Sequence, residues 1–180
     1  DKALLEAGVA AAAPIVPLLY AADESNWQAL AELAKAKKAP LVLKGKGDLA
    51  ALANLADQVK RAGVEELVLD PGTRRFVDSL QIATQMRRLA IKANQRACGY
   101  PLITFPGEGP EGLEGPLAAQ HIGKYAGFIV LDHFAPSLMY PLLVLRQNIY
   151  TDPQKPIQVQ PGIYEINGPQ PDSPVFLTTN

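Results

Sequence analysis

Five apolar segments of strand length recur along the chain, and a helical pattern separates each from the next. Their marker residues are Leu18, Leu41, Leu67, Leu102 and Phe128, at steps of 23, 26, 35 and 26 residues. Each segment is apolar throughout, which is typical of parallel strands that are buried on both faces. The spacing suits strand–helix units, so the sequence predicts an α/β fold built from parallel βα repeats.

Two architectures accommodate such repeats. The near-constant repeat length favours a partial TIM (β/α)8 barrel, and an open doubly wound sheet is the alternative. Five units do not close an eight-stranded barrel, so we expect about three further strands N-terminal to this sequence. The chain starts at Asp1 instead of a methionine, and its last residues predict a strand without a successor. We therefore expect an internal piece of a larger protein.

Capping residues mark the predicted helices. Lys2 to Ala13 has a helical pattern. Ser25, with Gln28 three residues later, predicts a capping box for the next helix. Asp48 predicts the cap of the helix that follows, and Gly63 predicts its end.

The two remaining long helices are defined by their apolar positions. One is predicted to end near Gly99, with its inner face formed by Phe76, Leu80, Ala83 and Ala90. Ser137 predicts the start of the last helix, whose inner residues are Leu138, Leu142 and Leu145. Pro141 is expected within about the first turn of that helix, where a missing N–H is tolerated.

The character of the chain changes near Tyr150. Six of the sixteen prolines fall between Pro153 and Pro174, which predicts an extended connector. The sequence therefore divides into βα repeats over 1–149, a proline-rich linker over 150–172, and a strand over 173–180 that opens a further domain.

Composition excludes several classes of function. The net charge of −1 argues against nucleic-acid and anionic-membrane binding. No run of eighteen apolar residues is present, so no segment is predicted to span a bilayer. The single cysteine, Cys98, cannot form an internal disulfide or alone hold a zinc ion or an iron–sulfur cluster. A lone thiol with a structural role fits a reducing, cytoplasmic setting.

In a parallel sheet the loops after the strands lie on one rim, where sites form in such folds. Those loops carry the candidate residues Lys44, Asp70, Glu108, Asp132 and His133. An enzyme would use Lys44 to bind an anion and Asp70 or His133 as a base. The favoured interpretation is structural, because strand-end acids and lysines often cap the next helix or pair with each other. The run Lys44–Gly47 also lacks the spacing of a Walker motif or a dinucleotide fingerprint.

Other polar residues are interpreted as structural. His121 is expected at the surface or at the core boundary and not as a metal ligand. A basic face on the helix that contains Phe76 predicts a solvated or partner-facing surface. The face consists of Arg74, Arg75, Arg87, Arg88, Lys92 and Arg96. The glycine-rich loop 107–115 is either a lid or merely a mobile loop.

Several blocks resemble a known family. They are Val42–Gly45, Leu67–Asp70, Gly99–Pro106, Ile129–Asp132, Arg146–Pro156, Pro161–Pro169 and Ser173–Asn180. The chain resembles the large (gamma) subunit of the corrinoid iron–sulfur protein of the acetyl-CoA synthase/decarbonylase (CO dehydrogenase) system over nearly its whole length. Asn148–Pro156 and Pro161–Pro169 carry the specific part of the resemblance.

The resemblance implies a subunit with three modules: a domain with a 4Fe-4S cluster, a TIM barrel and an α/β corrinoid-binding domain. Residues 1–149 would be the C-terminal part of the barrel, and 173–180 the start of the corrinoid (cobalamin) domain. Thr178, Thr179 and Asn180 match the strand end that opens this domain and would face the cofactor, although a frayed terminus is an alternative.

The resemblance also implies a function. The whole protein would carry a methyl group from a methyl-tetrahydropterin to acetyl-CoA synthase. Its implied partners are the small subunit of the corrinoid iron–sulfur protein, a pterin methyltransferase and acetyl-CoA synthase, and this piece would be scaffold and subunit interface. One alternative is a stand-alone TIM-barrel pterin-dependent methyltransferase that uses Asp70, Asp132 and Lys44. A pure assembly domain is another.

Overall fold

A computed structural model describes residues 2–149 and Glu165 of the chain. The chain divides into two units, 1–149 and 150–180, and the fold below is that of the first. The linker predicted over 150–172, the strand over 173–180 and the cofactor contacts of Thr178, Thr179 and Asn180 lie outside the described residues, apart from exposed Glu165.

Helices and strands alternate through residues 2–149. The strands are β1 (Leu19–Ala22), β2 (Leu41–Lys44), β3 (Leu67–Asp70), β4 (Ile103–Thr104) and β5 (Phe128–Ile129). The helices are α1 (Lys2–Ala11), α2 (Trp27–Lys37), α3 (Leu49–Arg61), α4 (Phe76–Lys92), α5 (Glu114–Gly123) and α6 (Pro136–Ile149). Short 3-10 turns follow α4 at Arg96–Cys98 and β4 at Pro106–Glu108. All five predicted strands are therefore present, and β4 and β5 are shorter than expected.

The strands pair in chain order, and each pair is parallel. One sheet has the order β1-β2-β3 and the other joins β4 to β5. A parallel bridge between Leu69 and Leu102 links the two sheets. The register places Lys44 beside Asp70 at the carboxyl ends of β2 and β3. The prediction of an α/β fold with parallel βα repeats is confirmed at this level.

The two faces of the sheet bury different residues. Alternate strand residues such as Leu41, Leu43, Leu67 and Leu69 belong to the large core beneath the helices. The residues between them point the opposite way, because successive side chains of a strand alternate. Val42, Val68 and Ile103 form a second buried cluster there, with Phe105 packed against it. This double burial explains why the strands are apolar throughout.

Strand β5 differs from this pattern. Phe128 is 45% exposed and Val130 is 40% exposed, although burial was predicted for both. The reason is its position, since β5 pairs with β4 and has no second neighbour among the described strands.

Helix α3 begins and ends at the predicted residues. The Asp48 carboxylate accepts hydrogen bonds from the backbone nitrogens of Ala50 (2.8 Å) and Ala51 (3.1 Å). Gly63, just past the end of the helix, has a φ of 95° that disfavours any residue with a Cβ. The prediction for Ser25 was wrong, because Asn26 is the N-cap position of α2 and makes no side-chain cap. The Ser25 hydroxyl instead donates to Asp23 at 2.6 Å within the preceding turn.

Helix α4 buries Ala83 as predicted, but the rest of its buried face differs from the prediction. Its buried residues are Ser79, Ile82, Ala83 and Met86. Phe76 is exposed, and Leu80 and Ala90 are only half-buried. The helix ends at Lys92 and not near Gly99, because Asn94 takes the left-handed conformation (φ 53°) that stops a helix.

Helix α6 places its proline later than expected. It starts at Pro136, so Pro141 is the sixth helical residue and lies beyond the first turn. Leu142 is buried against α5, with Leu138 and Leu145 partly buried beside it, as predicted. Within residues 2–149, no helix has both the length and the apolar character needed to cross a membrane.

Candidate functional site

The carboxyl end of β3 carries a fully buried carboxylate. Asp70 is 0% exposed. Its Oδ1 accepts from the Gly72 backbone nitrogen at 2.8 Å and from Arg74 at 2.9 Å. Its Oδ2 accepts from a second Arg74 nitrogen at 2.9 Å and from the Tyr20 hydroxyl at 2.8 Å. Each oxygen thus has two donors, which uses the acceptor capacity of a carboxylate.

Arg74 extends this arrangement to the loop after β4. Its Nε donates to the Glu108 carboxylate at 2.5 Å. Its guanidinium carbon lies 5.2 Å from the centre of the Phe105 ring. The centres of the Phe105 and Tyr20 rings are 5.0 Å apart. We call Tyr20, Asp70, Phe105, Arg74 and Glu108 the Asp70 network. It joins β1, through Tyr20, to the carboxyl ends of β3 and β4.

Electrostatics keep the network charged. Burial acts to raise the pKa of the Asp70 carboxyl, but hydrogen bonds from Arg74, Gly72 and Tyr20 prevail and hold it below its usual value. The Asp70 hydrogen bond raises the pKa of Arg74. Burial, reinforced by the bond to Asp70, raises the pKa of the Tyr20 hydroxyl. A carboxylate with a lowered pKa and four donors is a poor general base.

His121 lies beside this network. It is only 6% exposed, and its Nδ1 has no hydrogen-bond partner within the described part of the chain. Burial, with Arg74 nearby, lowers its pKa to about 4, so the ring is neutral near pH 7. Together with Asp70, Ser79 and Thr104 it lines a cavity of about 10 Å³, which is the size of one water molecule. The expectation of a surface or boundary histidine was therefore wrong.

Lys44 lies next to the network without joining it. Its side chain is exposed, and its Nζ lies 5.6 Å from the centre of the Tyr20 ring. A cleft of about 200 Å³ is lined by two lysines and three acids. They are Lys44, Lys46, Asp23, Glu24 and Asp48. Because the acids balance the lysines and Asp48 already caps α3, this cleft is poorly suited to a phosphate.

The loops after β2 and β3 are fastened to each other. The backbone nitrogen of Gly45 donates to the Asp70 carbonyl at 2.7 Å, and that of Gly47 donates to the Pro71 carbonyl at 2.8 Å. A Cβ on Gly72 would lie 2.1 Å from the Gly45 carbonyl oxygen. Only glycine permits this close approach of the two loops.

Asp132 and His133 follow β5 and are held by Glu114. The Glu114 carboxylate accepts from the Asp132 backbone nitrogen at 2.6 Å and contacts His133 Nδ1 at 2.7 Å. The His133 hydrogen bond lowers the pKa of Glu114. Gly107 packs closely against the Asp132 side chain, and Pro106 is buried. The first part of loop 107–115 is thus packed against its neighbour.

The structure separates the predicted rim residues into groups. Asp70 and Glu108 both accept hydrogen bonds from Arg74. Asp132 and His133 are instead held by Glu114. Among the described residues, Lys44 takes part in neither set of hydrogen bonds. Arg74 was assigned to a basic helix face, which was wrong for this residue, because it lies before α4 and pairs with two carboxylates. Sequence reasoning missed Tyr20 and Phe105. The signal that could have found them is the two-residue period of the strands, which places them on the face of Asp70.

The described residues hold no cluster of three or more potential metal ligands. Cys98 is buried at the end of a 3-10 turn, and burial, helped by the charge of Asp57, raises the pKa of its thiol. This agrees with the prediction of a structural thiol. The 4Fe-4S cluster that the sequence resemblance implies for the whole protein would not be held by these 180 residues, because such clusters take four cysteine thiolates and the sequence has one.

The comparison with known families settles the affiliation. The family described as CO dehydrogenase/acetyl-CoA synthase delta subunit matches residues 1–180. The chain belongs to this family. Together with the relatives named next, this match confirms the resemblance to the large (gamma) subunit of the corrinoid iron–sulfur protein.

Two relatives illustrate the match. The chain is 42% identical over its full length to the corrinoid/iron-sulfur protein large subunit of Moorella thermoacetica. It is 37% identical over a 193-residue alignment to the acetyl-CoA decarbonylase/synthase complex subunit gamma of Archaeoglobus fulgidus. It covers 40% of the first relative and 41% of the second, so it spans less than half of their length.

Proposed function

We propose that this chain is part of a corrinoid iron–sulfur methyl carrier of the reductive acetyl-CoA pathway, working in the cytoplasm. The whole protein takes a methyl group from a methyl-tetrahydropterin, through a pterin methyltransferase, and delivers it to acetyl-CoA synthase. Residues 1–149 are the later part of a TIM barrel that serves as scaffold and as interface to the small subunit. The names of the relatives support the corrinoid and the iron–sulfur cluster as cofactors of the whole protein.

The saturated carboxylate of Asp70 carries the proposal that this piece is not itself catalytic. A pterin-dependent methyltransferase built on Asp70, Lys44 and Asp132 needs side chains that can reach a substrate. Asp70 is fully buried and has two donors on each oxygen, so no acceptor position remains for a pterin. Among the described residues, the side chains of Lys44 and Asp132 make no hydrogen bond or ion pair with the Asp70 carboxylate. Strand-end polar groups here pair with each other, as expected of a framework.

The corrinoid belongs, in this proposal, to the domain that begins at 173–180. Thr178, Thr179 and Asn180 are proposed to face it, because strand-end loops of such α/β domains face the ligand. A full-length N180A variant should then lose corrinoid more readily on gel filtration than the wild type. Equal corrinoid content in both proteins would remove Asn180 from the site.

The function is tested with the full-length protein and two rim variants. Wild-type material should show corrinoid and iron–sulfur absorption and should accept a methyl group only when the pterin methyltransferase is added. K44A and D132N should keep that rate within about twofold, whereas loss of a catalytic acid–base group costs about 100-fold or more. Both side chains are exposed, so folding is not at risk. A colourless protein that demethylates the pterin unaided, and that K44A or D132N inactivates, would overturn the proposal.

A further inference from the structure

The second half of α4 and the turn after it expose four cations. We call Arg87, Arg88, Lys92 and Arg96 the basic α4 face; all four are exposed. The segment 79–107 contains no aspartate or glutamate. Within residues 2–149, none of the four cations has a carboxylate within ion-pair distance. The only acid on α4 is Asp78, which pairs with Arg75 in the first turn.

The helix aligns these side chains. Arg88 and Lys92 are four residues apart and Ile91 is three from Arg88, so the three share one side of α4. Ile91 is 65% exposed, which places an apolar side chain within the basic face. The Arg87 guanidinium lies 3.9 Å above the Tyr125 ring, which holds it in a defined position. Arginine and tyrosine are the residue types most often found at the energetic centre of protein interfaces.

Folding alone does not account for this arrangement. A cation near a helix C-terminus is favourable, which explains Lys92 in the last turn. Like charges at four-residue spacing are unfavourable, and Arg88 and Lys92 have no acid to offset them. In the neighbouring helices an acid accompanies the cations of the last turn. Helix α2 contains Glu32 and helix α3 contains Asp57. The isolated helix thus gains nothing from a second and third cation.

We propose that the basic α4 face docks an acidic protein surface that also offers a small apolar contact for Ile91. Charge complementarity selects the partner, because these four cations have no carboxylate within ion-pair distance among residues 2–149 and therefore attract carboxylates and steer their approach. A protein is favoured over nucleic acid, since the chain as a whole carries a net charge of −1 and the face is one helix wide. The exposed large apolar residues of α4 are Phe76, Val77 and Ile91, and these are too few for membrane insertion. The inference rests on the proposed function only in its choice of partners to test.

The experiment uses the full-length protein and two double variants. R88E/K92E reverses the basic α4 face. K37E/R61E reverses the same number of charges in the last turns of α2 and α3, where both side chains are exposed and unpaired within the described residues. A cooperative melting transition and an unchanged far-UV circular dichroism spectrum establish that both variants fold. Binding is measured to the purified small subunit, the pterin methyltransferase and acetyl-CoA synthase at 50 and 200 mM salt.

We expect R88E/K92E to bind one of the three proteins at least about tenfold more weakly at 50 mM salt. K37E/R61E should bind that protein within about twofold of the wild type, and the wild-type affinity should fall at 200 mM salt. If both doubles lose affinity equally, or neither does, the inference is wrong. A 24-base-pair duplex or a phosphatidylserine vesicle bound by the wild type and released by R88E/K92E would also overturn it. If the wild type binds none of the three proteins at 50 mM salt, the inference is also wrong, whereas the methyl-transfer assay described above decides the proposed function separately.

Discussion

Arg74 clamps the buried carboxylate of Asp70 with two nitrogen–oxygen contacts of 2.9 Å each. Two parallel bonds of this kind fix geometry as well as energy. The third side of the guanidinium reaches Glu108, so one arginine connects the end of β3 to the loop after β4. The Tyr20 hydroxyl of β1 also donates to the Asp70 carboxylate. The network therefore ties together strands that are far apart in sequence.

Replacing Asp70 by Asn should destabilise the protein strongly. D70N keeps the size of the side chain but leaves the Arg74 cation without its buried partner. Breaking a buried ion pair by removing one member costs about 3–5 kcal/mol. We expect a loss near the lower end, about 3 kcal/mol, because Glu108 still pairs with Arg74. Urea denaturation measures the free energy of unfolding directly.

Asp78 provides the matched control for this variant. It pairs with Arg75 at 3.9 Å, and both side chains are at least half exposed. Exposed pairs contribute little, so D78N should change the free energy of unfolding by less than about 1 kcal/mol. Equal effects of D70N and D78N would show that burial of the Asp70 carboxylate has no energetic weight.

Stability should fall on acidification in two overlapping stages. The pKa of His121 is lowered to about 4 by burial, so between pH 6.5 and 4 the unfolded chain binds a proton that the folded one does not. This stage removes about 3 kcal/mol by pH 4. The pKa of Asp70 is also below its usual value, because its hydrogen bonds outweigh its burial. Its contribution is complete above about pH 4 and is lost as pH falls further.

H121Q isolates the first stage. The variant has no titrating ring at this position, so its free energy of unfolding should change less between pH 7 and 4.5 than that of the wild type. Parallel slopes for the wild type and H121Q would remove His121 from the acid response.

The strands were predictable because they obey a strong constraint. A strand buried on both faces must be apolar throughout, and Leu41–Leu43 and Leu67–Leu69 meet that condition visibly in the sequence. Asp48 was predictable as well, because a cap depends on local chemistry. Parallel order then places Lys44 and Asp70 on one rim without any knowledge of tertiary contacts.

The partners of these rim residues were not predictable in the same way. Arg74 belongs to the network because of where the loop after β3 turns, and Gly72 governs that turn by approaching Gly45. His121 is buried because α5 packs beside Ser79 and Thr104, which no local pattern records. Tertiary packing thus decided which polar residues became buried.

Two substitutions test which of the predicted helix caps stabilises the protein, the one at Asp48 or the one at Ser25. D48A removes an acceptor for two backbone nitrogens and should cost about 1 kcal/mol of unfolding free energy. S25A removes a hydroxyl that caps no helix and should cost less than about 0.5 kcal/mol. A larger effect for S25A than for D48A would restore the capping box predicted from the sequence.

Gly72 and Gly112 separate steric contact from backbone strain. Both have a φ of 75°, which disfavours residues with a Cβ, and alanine at either position carries a strain of about 1 kcal/mol. Open space surrounds Gly112, so G112A should show the strain alone.

At Gly72 the new Cβ would meet the Gly45 carbonyl oxygen at 2.1 Å, which forces the fastened loops after β2 and β3 apart. G72A should therefore lose at least about 2 kcal/mol of unfolding free energy, and its Asp70 network should loosen with it. Hydrogen exchange of the Gly45 and Gly47 amides reports on the second effect, since both donate across the two loops. If G72A and G112A lose equal stability and the amides stay protected, the close approach of the loops contributes nothing beyond the strained φ.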